Sequence, residues 1–135
     1  MKFVVDTNIL FSFFRKDSLI KKILESPSCT FHSPFLALKE IEKYSPLIIS
    51  KTGLSKKDFL SEFKNLKSSV KFHKEKNYKN YVKISEEISP DKDDAEFFAL
   101  CLVLNLPLWS NDKILKNQGK VVVCNTEEII NSYFG

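Results

Sequence analysis

Val4-Val5-Asp6-Thr7-Asn8 is the stretch that decides the fold, because a continuous apolar run leads directly into an acidic residue. An apolar run that does not alternate with polar residues is typical of a strand covered on both faces. In open parallel sheets, ligands bind beyond the carboxyl ends of the strands, where the strand order reverses. The stretch therefore predicts an α/β protein with a functional site at Asp6.

The rest of the chain alternates between β-like runs and helical patterns. The β-like runs are Lys2–Val5, Cys29–His32, Val70–His73, Pro107–Trp109 and Val121–Cys124. The helical patterns cover Leu10–Glu25 (in two pieces), Phe35–Ser50, Lys57–Lys67, Tyr78–Ile88, Asp94–Asn105 and Glu127–Phe134, with Thr126 as the cap of the last helix. This alternation predicts one domain over residues 1–135, a three-layer α/β/α sandwich with a parallel sheet and right-handed crossovers.

The composition narrows the class of protein. With 135 residues, 43% of them apolar and 13% aromatic, the chain is large enough to bury the core of a folded soluble domain. Its longest apolar run, Phe97–Leu104, is far shorter than the roughly 20 residues that a membrane span needs. Asp6 lies too close to the N-terminus for a signal peptide. We therefore expect a cytoplasmic protein that does not bind a membrane.

The cysteines, histidines and glycines exclude other kinds of site. Cys29, Cys101 and Cys124 form no CxxC pair, and we expect them to be buried free thiols. His32 and His73 have no Glu or His at helical zinc spacing, so a zinc site is not expected. Glycine occurs only at positions 53, 119 and 135, which excludes the Gly-rich loops that bind nucleotide phosphates.

Four acidic residues, far apart in sequence, fall where a parallel sheet would gather them. Asp6 follows the first strand and Asp112 follows the fourth. Asp94 begins the helix that contains Phe97–Leu104, and Glu40 lies inside a helical pattern. Like charges repel each other, and carboxylates are rarely buried unless they are paired or bound to a metal. Because arginine is nearly absent, the convergence predicts a hard divalent cation.

The sequence leaves the choice among neighbouring acids partly open. Asp91, Asp93 and Asp94 cluster at a helix N-terminus, where one of them is expected to be an N-cap. Asp94 is favoured as the metal ligand, and Asp91 or Asp93 could share that role. On a helical wheel Glu40 lies at the border of the apolar face, whereas Glu42 lies on a solvated face with lysines. Glu40 is therefore the favoured glutamate.

Structural alternatives exist for the two strand-end acids as well. Asp6 could merely cap a helix that begins near Asn8, and Asp112 could be a turn acid or the cap of a short segment over 113–116. The polar neighbours favour a site instead. They comprise two hydroxyls and two amides, suited to hold metal-bound water or to orient the acid beside them, which is Asp6 for the first two and Asp112 for the others: Thr7, Asn8, Ser110 and Asn111.

Basic residues offer contacts for a polyanion. Lys92 and Lys113 flank two of the acids and are candidate phosphate contacts. The segment 56–83 carries nine lysines against three acids, within a net charge of +4. Such a segment either attracts a nucleic acid or is an ordinary solvated face.

Taken in order, four motifs resemble the acidic motifs of PIN domains. They are Val4-Val5-Asp6-Thr7-Asn8-Ile9-Leu10, Leu38-Lys39-Glu40-Ile41, Asp94-Ala95 with Phe98-Ala99-Leu100, and Trp109-Ser110-Asn111-Asp112. The resemblance covers nearly the whole chain and extends to small VapC-type toxins and archaeal stand-alone PIN proteins. It implies a five-stranded parallel sheet in the order 3-2-1-4-5, so that the first and fourth strands are neighbours.

The resemblance also implies a function. Asp6, Glu40, Asp94 and Asp112 would bind one or two Mg²⁺ or Mn²⁺ ions, and water activated on the metal would cleave single-stranded RNA. An antitoxin protein or a second copy of the chain would be a partner. The alternative is a PIN-like module that binds RNA or protein without cleaving. A phosphatase or a phospho-acceptor receiver also places acids at strand ends, but Asp6-Thr7-Asn8 lacks the second acid that such a phosphatase needs.

Overall fold

The structure is a computed structural model that describes residues 1–134. The strands are β1 (Lys2–Val5), β2 (Thr30–Pro34), β3 (Val70–His73), β4 (Leu108–Trp109) and β5 (Val123–Cys124). The α-helices are α1 (Thr7–Ser12), α2 (Leu19–Leu24), α3 (Phe35–Lys43), α4 (Ser45–Thr52), α5 (Lys56–Ser69), α6 (Val82–Ile88), α7 (Ala95–Leu104) and α8 (Thr126–Tyr133). Short 3₁₀ turns cover Glu75–Asn77, Lys79–Tyr81, Lys92–Asp94 and Lys113–Lys116.

The five strands form one parallel sheet in the order β3-β2-β1-β4-β5, which confirms the expected architecture and strand order. Val4 of β1 pairs with His32 of β2 on one side and with Leu108 of β4 on the other. Beyond the strand ends, the backbone N–H of Asp6 donates to the carbonyl of Trp109 at 3.2 Å. The strand order reverses at β1, so the residues that follow β1 and β4 lie side by side.

Helix α7 and an aromatic cluster hold the centre of the sheet in place. Helix α7 contacts β1, β2 and β4. Its run from Ala95 to Cys101 is buried except at Glu96, as expected of a helix that is apolar all round. The ring of Phe31 lies 6.4 Å from that of Phe3 and 5.7 Å from that of Trp109, measured between centroids. This packing fixes the end of β4, where the residues leading to Asp112 begin.

One predicted helix was wrong in its extent. The pattern over Phe35–Ser50 predicts one helix, but the structure divides it at Tyr44 into α3 and α4. Pro46 lies in the first turn of α4. Proline lacks a backbone N–H and clashes with the preceding turn, so it is accommodated in the first turn of a helix and not in the middle. The break leaves the side chain of Tyr44 partly exposed.

The predicted cap of the last helix was also wrong. Asn125, not Thr126, is the N-cap of α8, because its Oδ1 accepts a hydrogen bond from the Glu128 N–H at 2.8 Å. The Glu128 side chain accepts one in return from the Asn125 N–H at 3.0 Å. This reciprocal capping box leaves the hydroxyl of Thr126 available for other contacts.

The cysteines and histidines differ in part from the expectation. All three cysteines are free thiols, but only Cys101 is fully buried, whereas Cys29 and Cys124 are half-buried. The two histidines lie 41 residues apart in sequence and meet across β2 and β3, with His32 Nδ1 2.9 Å from His73 Nε2. Within residues 1–134 no helix is both long enough and apolar enough to cross a membrane.

Candidate functional site

Asp6 both caps a helix and lies near other carboxylates. It is the N-cap of α1, and its Oδ1 accepts a hydrogen bond from the Ile9 N–H at 3.0 Å. The residue is only 5% exposed. Burial raises the pKa of its carboxyl group, and the charges of Asp112 and Glu40 raise it further, while hydrogen bonds from Ser110 and Ile9 act in the opposite direction. Asp6 is therefore a buried carboxylate with other carboxylates nearby.

Thr7, the residue that follows Asp6, positions the side chain of Glu40. The buried hydroxyl of Thr7 donates a hydrogen bond to Glu40 Oε1 at 3.0 Å. This bond links α1 to α3, two helices that also pack against each other. Glu40 is half-buried, whereas Glu42 is exposed. Thr7 thus orients Glu40, whereas the sequence predicted that it would orient Asp6 or hold water.

Asp112 is connected to Asp6 through Ser110, which is 1% exposed. The Ser110 hydroxyl accepts a hydrogen bond from the Asp112 N–H at 3.1 Å and lies close enough to the Asp6 carboxylate to lower its pKa. Asp112 is exposed and also accepts a bond from the Ile114 N–H at 3.1 Å, so it caps the following 3₁₀ turn. Ser110 therefore adjoins both strand-end acids.

Asp94 differs from Asp91 in that its side chain makes no capping bond. It occupies the N-cap position of α7 without a side-chain hydrogen bond to that helix. Burial raises its pKa to about 7, and the charges of Asp91, Asp6 and Asp112 contribute in that order. Asp91, which is exposed, accepts a hydrogen bond from the N–H of the exposed Asp93 at 2.9 Å and so caps the preceding 3₁₀ turn.

None of the four acids is neutralised by a basic side chain. The ion pairs among residues 1–134 are Lys21–Glu62 and Lys116–Glu128. Carboxylate oxygens are the donors that Mg²⁺ and Mn²⁺ prefer, so the donor chemistry fits a hard cation. Within the same residues, however, no three His, Cys, Asp or Glu side chains are close enough together to surround an ion. Mutual repulsion favours such a separation of unneutralised carboxylates.

A hydrogen-bond chain anchors the loop that carries Asp112. Asn111 Oδ1 accepts bonds from the backbone N–H of Thr126 at 2.8 Å and from its hydroxyl at 3.0 Å. The same hydroxyl accepts a bond from Trp109 Nε1 at 3.0 Å. Asn111, which was predicted to support the site, binds the first residue of α8. The sequence offers no signal for the role of Thr126, because the contact joins residues 15 apart.

Two clefts adjoin the acids. The larger has a volume of about 680 Å³ and contains Asp6 and Asp112 together with Asn8, Arg15 and Lys51. The smaller, of about 210 Å³, lies on the other side of Asn111 and Asp112, which line both clefts. Asp112 is therefore the point at which the two clefts meet.

The basic residues of the clefts are largely not those singled out in the sequence. Lys113 and Lys116 line the smaller cleft. Lys92 is exposed and lines neither cleft, and the same holds for the lysines of the segment 56–83. Arg15 and Lys51 were missed, although Arg15 is the only arginine in the chain.

Sequence comparison identifies the family. A model of the PIN domain family matches residues 4–133, which include all four acids. The chain belongs to the PIN domain family. A chain in the crystal structure of VapBC2 from Rickettsia felis, bound to a DNA fragment from their promoter, superposes on this PIN domain with a TM-score of 0.65. That match covers 93% of this chain and 98% of the other at 16% sequence identity, so it shows a shared fold. No curated protein matches this chain in sequence.

Proposed function

We propose that this PIN domain is a metal-dependent endoribonuclease that cleaves single-stranded RNA. Asp6, Glu40, Asp94 and Asp112 would hold one or two Mg²⁺ or Mn²⁺ ions. The observation that carries the proposal is the electrostatic interaction of Asp6 with Glu40, Asp94 and Asp112, without a basic partner for any of them. Membership of a family of nucleases supports the same conclusion.

The residues around the acids have positioning roles in this proposal. When bound, the ion supplies a water molecule of lowered pKa and neutralises charge on the phosphate. Thr7 holds Glu40 toward Asp6, and Ser110 adjoins both Asp6 and Asp112. Asn8 lines the larger cleft, where its amide can contact substrate. Lys113 lines the smaller cleft and is the better placed of the two predicted phosphate contacts.

We also propose a protein partner. The structural neighbour belongs to a complex named VapBC2, and by analogy this chain would pair with an antitoxin, as a monomer or as a homodimer. Exposed apolar side chains such as Leu60 and Leu19 provide surface for such contacts. The free cysteines fit the reducing conditions of the cytoplasm. Light scattering of the protein alone and co-expressed with an adjacent small reading frame tests the partner.

A second candidate function is a PIN-like module that binds RNA without cleaving it. The observation in its favour is that the four carboxylates do not form a closed ligand set within residues 1–134. The two candidates differ in one measurable property, which is metal-dependent turnover of RNA.

The decisive experiment compares cleavage of a labelled single-stranded RNA by the wild type and by Asp6→Asn, with Mg²⁺, Mn²⁺ or EDTA. We expect cleavage that EDTA abolishes and that falls at least about 100-fold in Asp6→Asn, since a metal ligand is lost. Asparagine still accepts the Ile9 N–H, so the fold should persist. Glu40→Gln should also lose activity, whereas Glu42→Gln is the matched control. RNA binding without cleavage by the wild type would favour the second candidate.

A further inference from the structure

We infer that the larger cleft is a nucleotide subsite next to the cleavage point, in which Arg15 and Lys51 bind a backbone phosphate and Tyr44 stacks on a base. The inference rests on the proposed function, because it assumes that the substrate is single-stranded RNA. It assigns roles to three residues that the acidic motifs do not include.

Within the cleft, Arg15 lies beyond the end of α1, away from the helix start that Asp6 caps. Asp6 caps the first turn of α1, and Arg15 lies three residues beyond Ser12, the last residue of that helix. Six residues of α-helix span roughly 9 Å, so the acidic and basic residues of the cleft are separated along α1. A strand whose scissile phosphate lies at Asp6 therefore reaches Arg15 with an adjoining phosphate and not with the same one.

The charges along the cleft indicate a polyanion. Arg15 and Lys51 are both exposed, and neither makes an ion pair with any residue in the range 1–134. Both contribute to the same cleft wall as Asn8 and Ser12, which offer an amide and a hydroxyl. A guanidinium group binds phosphate oxygens through two parallel hydrogen bonds, and an ammonium group adds a point charge. Two unpaired cations in one cleft match the backbone of RNA.

Tyr44 supplies an aromatic surface in the wall of the cleft. The residue is 39% exposed because the chain breaks there between α3 and α4. Phe11 supports it edge-on, with ring centroids 6.2 Å apart at 85°. The ammonium of Lys43 lies 5.3 Å from the ring centroid and can move aside, since Lys43 is exposed. Stacking on such a ring accepts any base, because every base has a π-face.

A protein segment is the competing occupant, because Leu47 and Ile48 give the cleft apolar walls. A helix that binds through apolar contacts has no need of two unpaired cations, whereas a nucleic acid uses both the cations and the aromatic ring. The charges therefore favour RNA. The competing occupant remains an outcome of the test.

The test measures RNA affinity separately from cleavage. Asp6→Asn serves as the background in which the probe survives. The probe is a fluorescein-labelled single-stranded RNA of about twelve nucleotides, a length within the usual range for single-strand sites, read by fluorescence anisotropy with Mg²⁺ present. Arg15→Ala, Lys51→Ala, Tyr44→Ala and Tyr44→Phe are each added to this background. Lys16→Ala and Lys57→Ala are the charge-matched controls, since both lysines are exposed and line neither cleft.

We expect Arg15→Ala and Lys51→Ala each to raise Kd about tenfold and to lower the slope of log Kd against log salt by about 1. Tyr44→Ala should raise Kd by about tenfold without changing that slope, and Tyr44→Phe should bind normally because it keeps the ring. The controls should change Kd less than about twofold. Thermal melting of each variant shows whether it is folded.

The outcomes separate the two proposals. Equal effects of the cleft and control lysines would overturn the subsite, as would unchanged affinity in all three alanine variants. If the wild type cleaves RNA while those variants bind normally, the nuclease is supported and the cleft belongs to a protein partner. If the wild type fails to cleave but the expected order of affinities holds, the subsite is supported and the nuclease proposal fails.

Discussion

Two regions of the sheet differ in how they accommodate ionisable groups of the same kind: the acids beyond β1 and β4, and the histidines of β2 and β3. Beyond β1 and β4, burial raises the pKa of the Asp6 carboxyl group, and the charges of Asp112 and Glu40 raise it further. At β2 and β3, His32 and His73 lie within hydrogen-bond distance. Burial, followed by His73 and Lys71, lowers the pKa of His32 to about 4. The region beyond β1 and β4 therefore contains several carboxylates, whereas the region at β2 and β3 disfavours the protonated form of its histidines.

The difference shows that the carboxylates, unlike the histidines, lack a partner that stabilises them. At neutral pH both imidazoles are uncharged, and one ring nitrogen donates to the other, so the pair satisfies itself. The carboxylates have no such solution, because ionised oxygens are acceptors only. The Thr7 hydroxyl orients Glu40, and the Ser110 hydroxyl lowers the pKa of Asp6, but neither supplies a positive charge. Perturbed groups that lie in a cleft and lack a partner mark a functional site.

The largest expected effect tests whether a divalent cation binds and neutralises the carboxylates beyond β1 and β4. Mg²⁺ or Mn²⁺ at about 100 times its Kd should stabilise the protein by about 2.7 kcal/mol, which is roughly 5–10 °C in Tm. Differential scanning fluorimetry measures the shift. Asp6→Asn should abolish most of it, whereas His32→Gln should keep it because the imidazole pair takes no part. An equal shift in both variants would show that the ion binds elsewhere.

A smaller effect should follow when the orientation of one acid is loosened. Thr7→Val removes the hydroxyl that donates to Glu40 but keeps the shape of a buried side chain. We expect kcat for RNA cleavage to fall about tenfold, equivalent to about 1.4 kcal/mol, with KM nearly unchanged. Thr7→Ser should restore kcat because its hydroxyl can donate again. Failure of serine to rescue would mean that Thr7 acts through packing.

The smallest effect concerns the histidines of β2 and β3 and their dependence on pH. His32 has a folded-state pKa near 4 and an ordinary value of 6.5, so the unfolded chain binds more protons between these values. Stability from this residue is therefore complete above pH 6.5 and decreases as the pH falls toward 4. Lys2 and Lys71 reinforce the effect, and solvent screening limits it to about 1 kcal/mol.

Urea titrations of the wild type and His32→Gln at several pH values isolate this contribution. The stability difference between the two proteins should shift in favour of the variant as the pH falls from 7 to 4.5. The titrating groups other than His73 are far less coupled to His32, so their contributions largely cancel and the difference reports on the His32–His73 pair. A difference that stays constant with pH would show that His32 has the same pKa in the folded and the unfolded protein.

The fold could be predicted because its signals are local. An apolar run that ends in an acid marks β1 from its own residues, and β3 was predicted with the bounds that the structure has. Helix breaks were harder. The division at Tyr44 required weighing Pro46 against a long amphipathic pattern, and the pattern misled the prediction. Local signals thus identify elements better than their ends.

For the candidate site, the sequence indicated only the acids, and their role stays a prediction. Glu40 was separable from Glu42 because helical periodicity reports which face is buried. Arg15 and Lys51 belong to segments 36 positions apart in the sequence, and no local pattern indicates that α1 and α4 share a cleft. The choice of Asp94 over Asp91 and Asp93 remains a prediction, which metal titration of the single variants can decide.

The contact of Thr126 with Asn111 has a practical consequence for work on this protein. The last helix starts at the residue that grips the loop of Asp112, so a displacement of that helix is transmitted to the acidic edge. An affinity tag, a surface tether or a fused reporter attached after residue 135 can displace α8 and, with it, the loop that carries Asp112. A loss of turnover in such a fusion then reports mechanical disturbance and says nothing about chemistry.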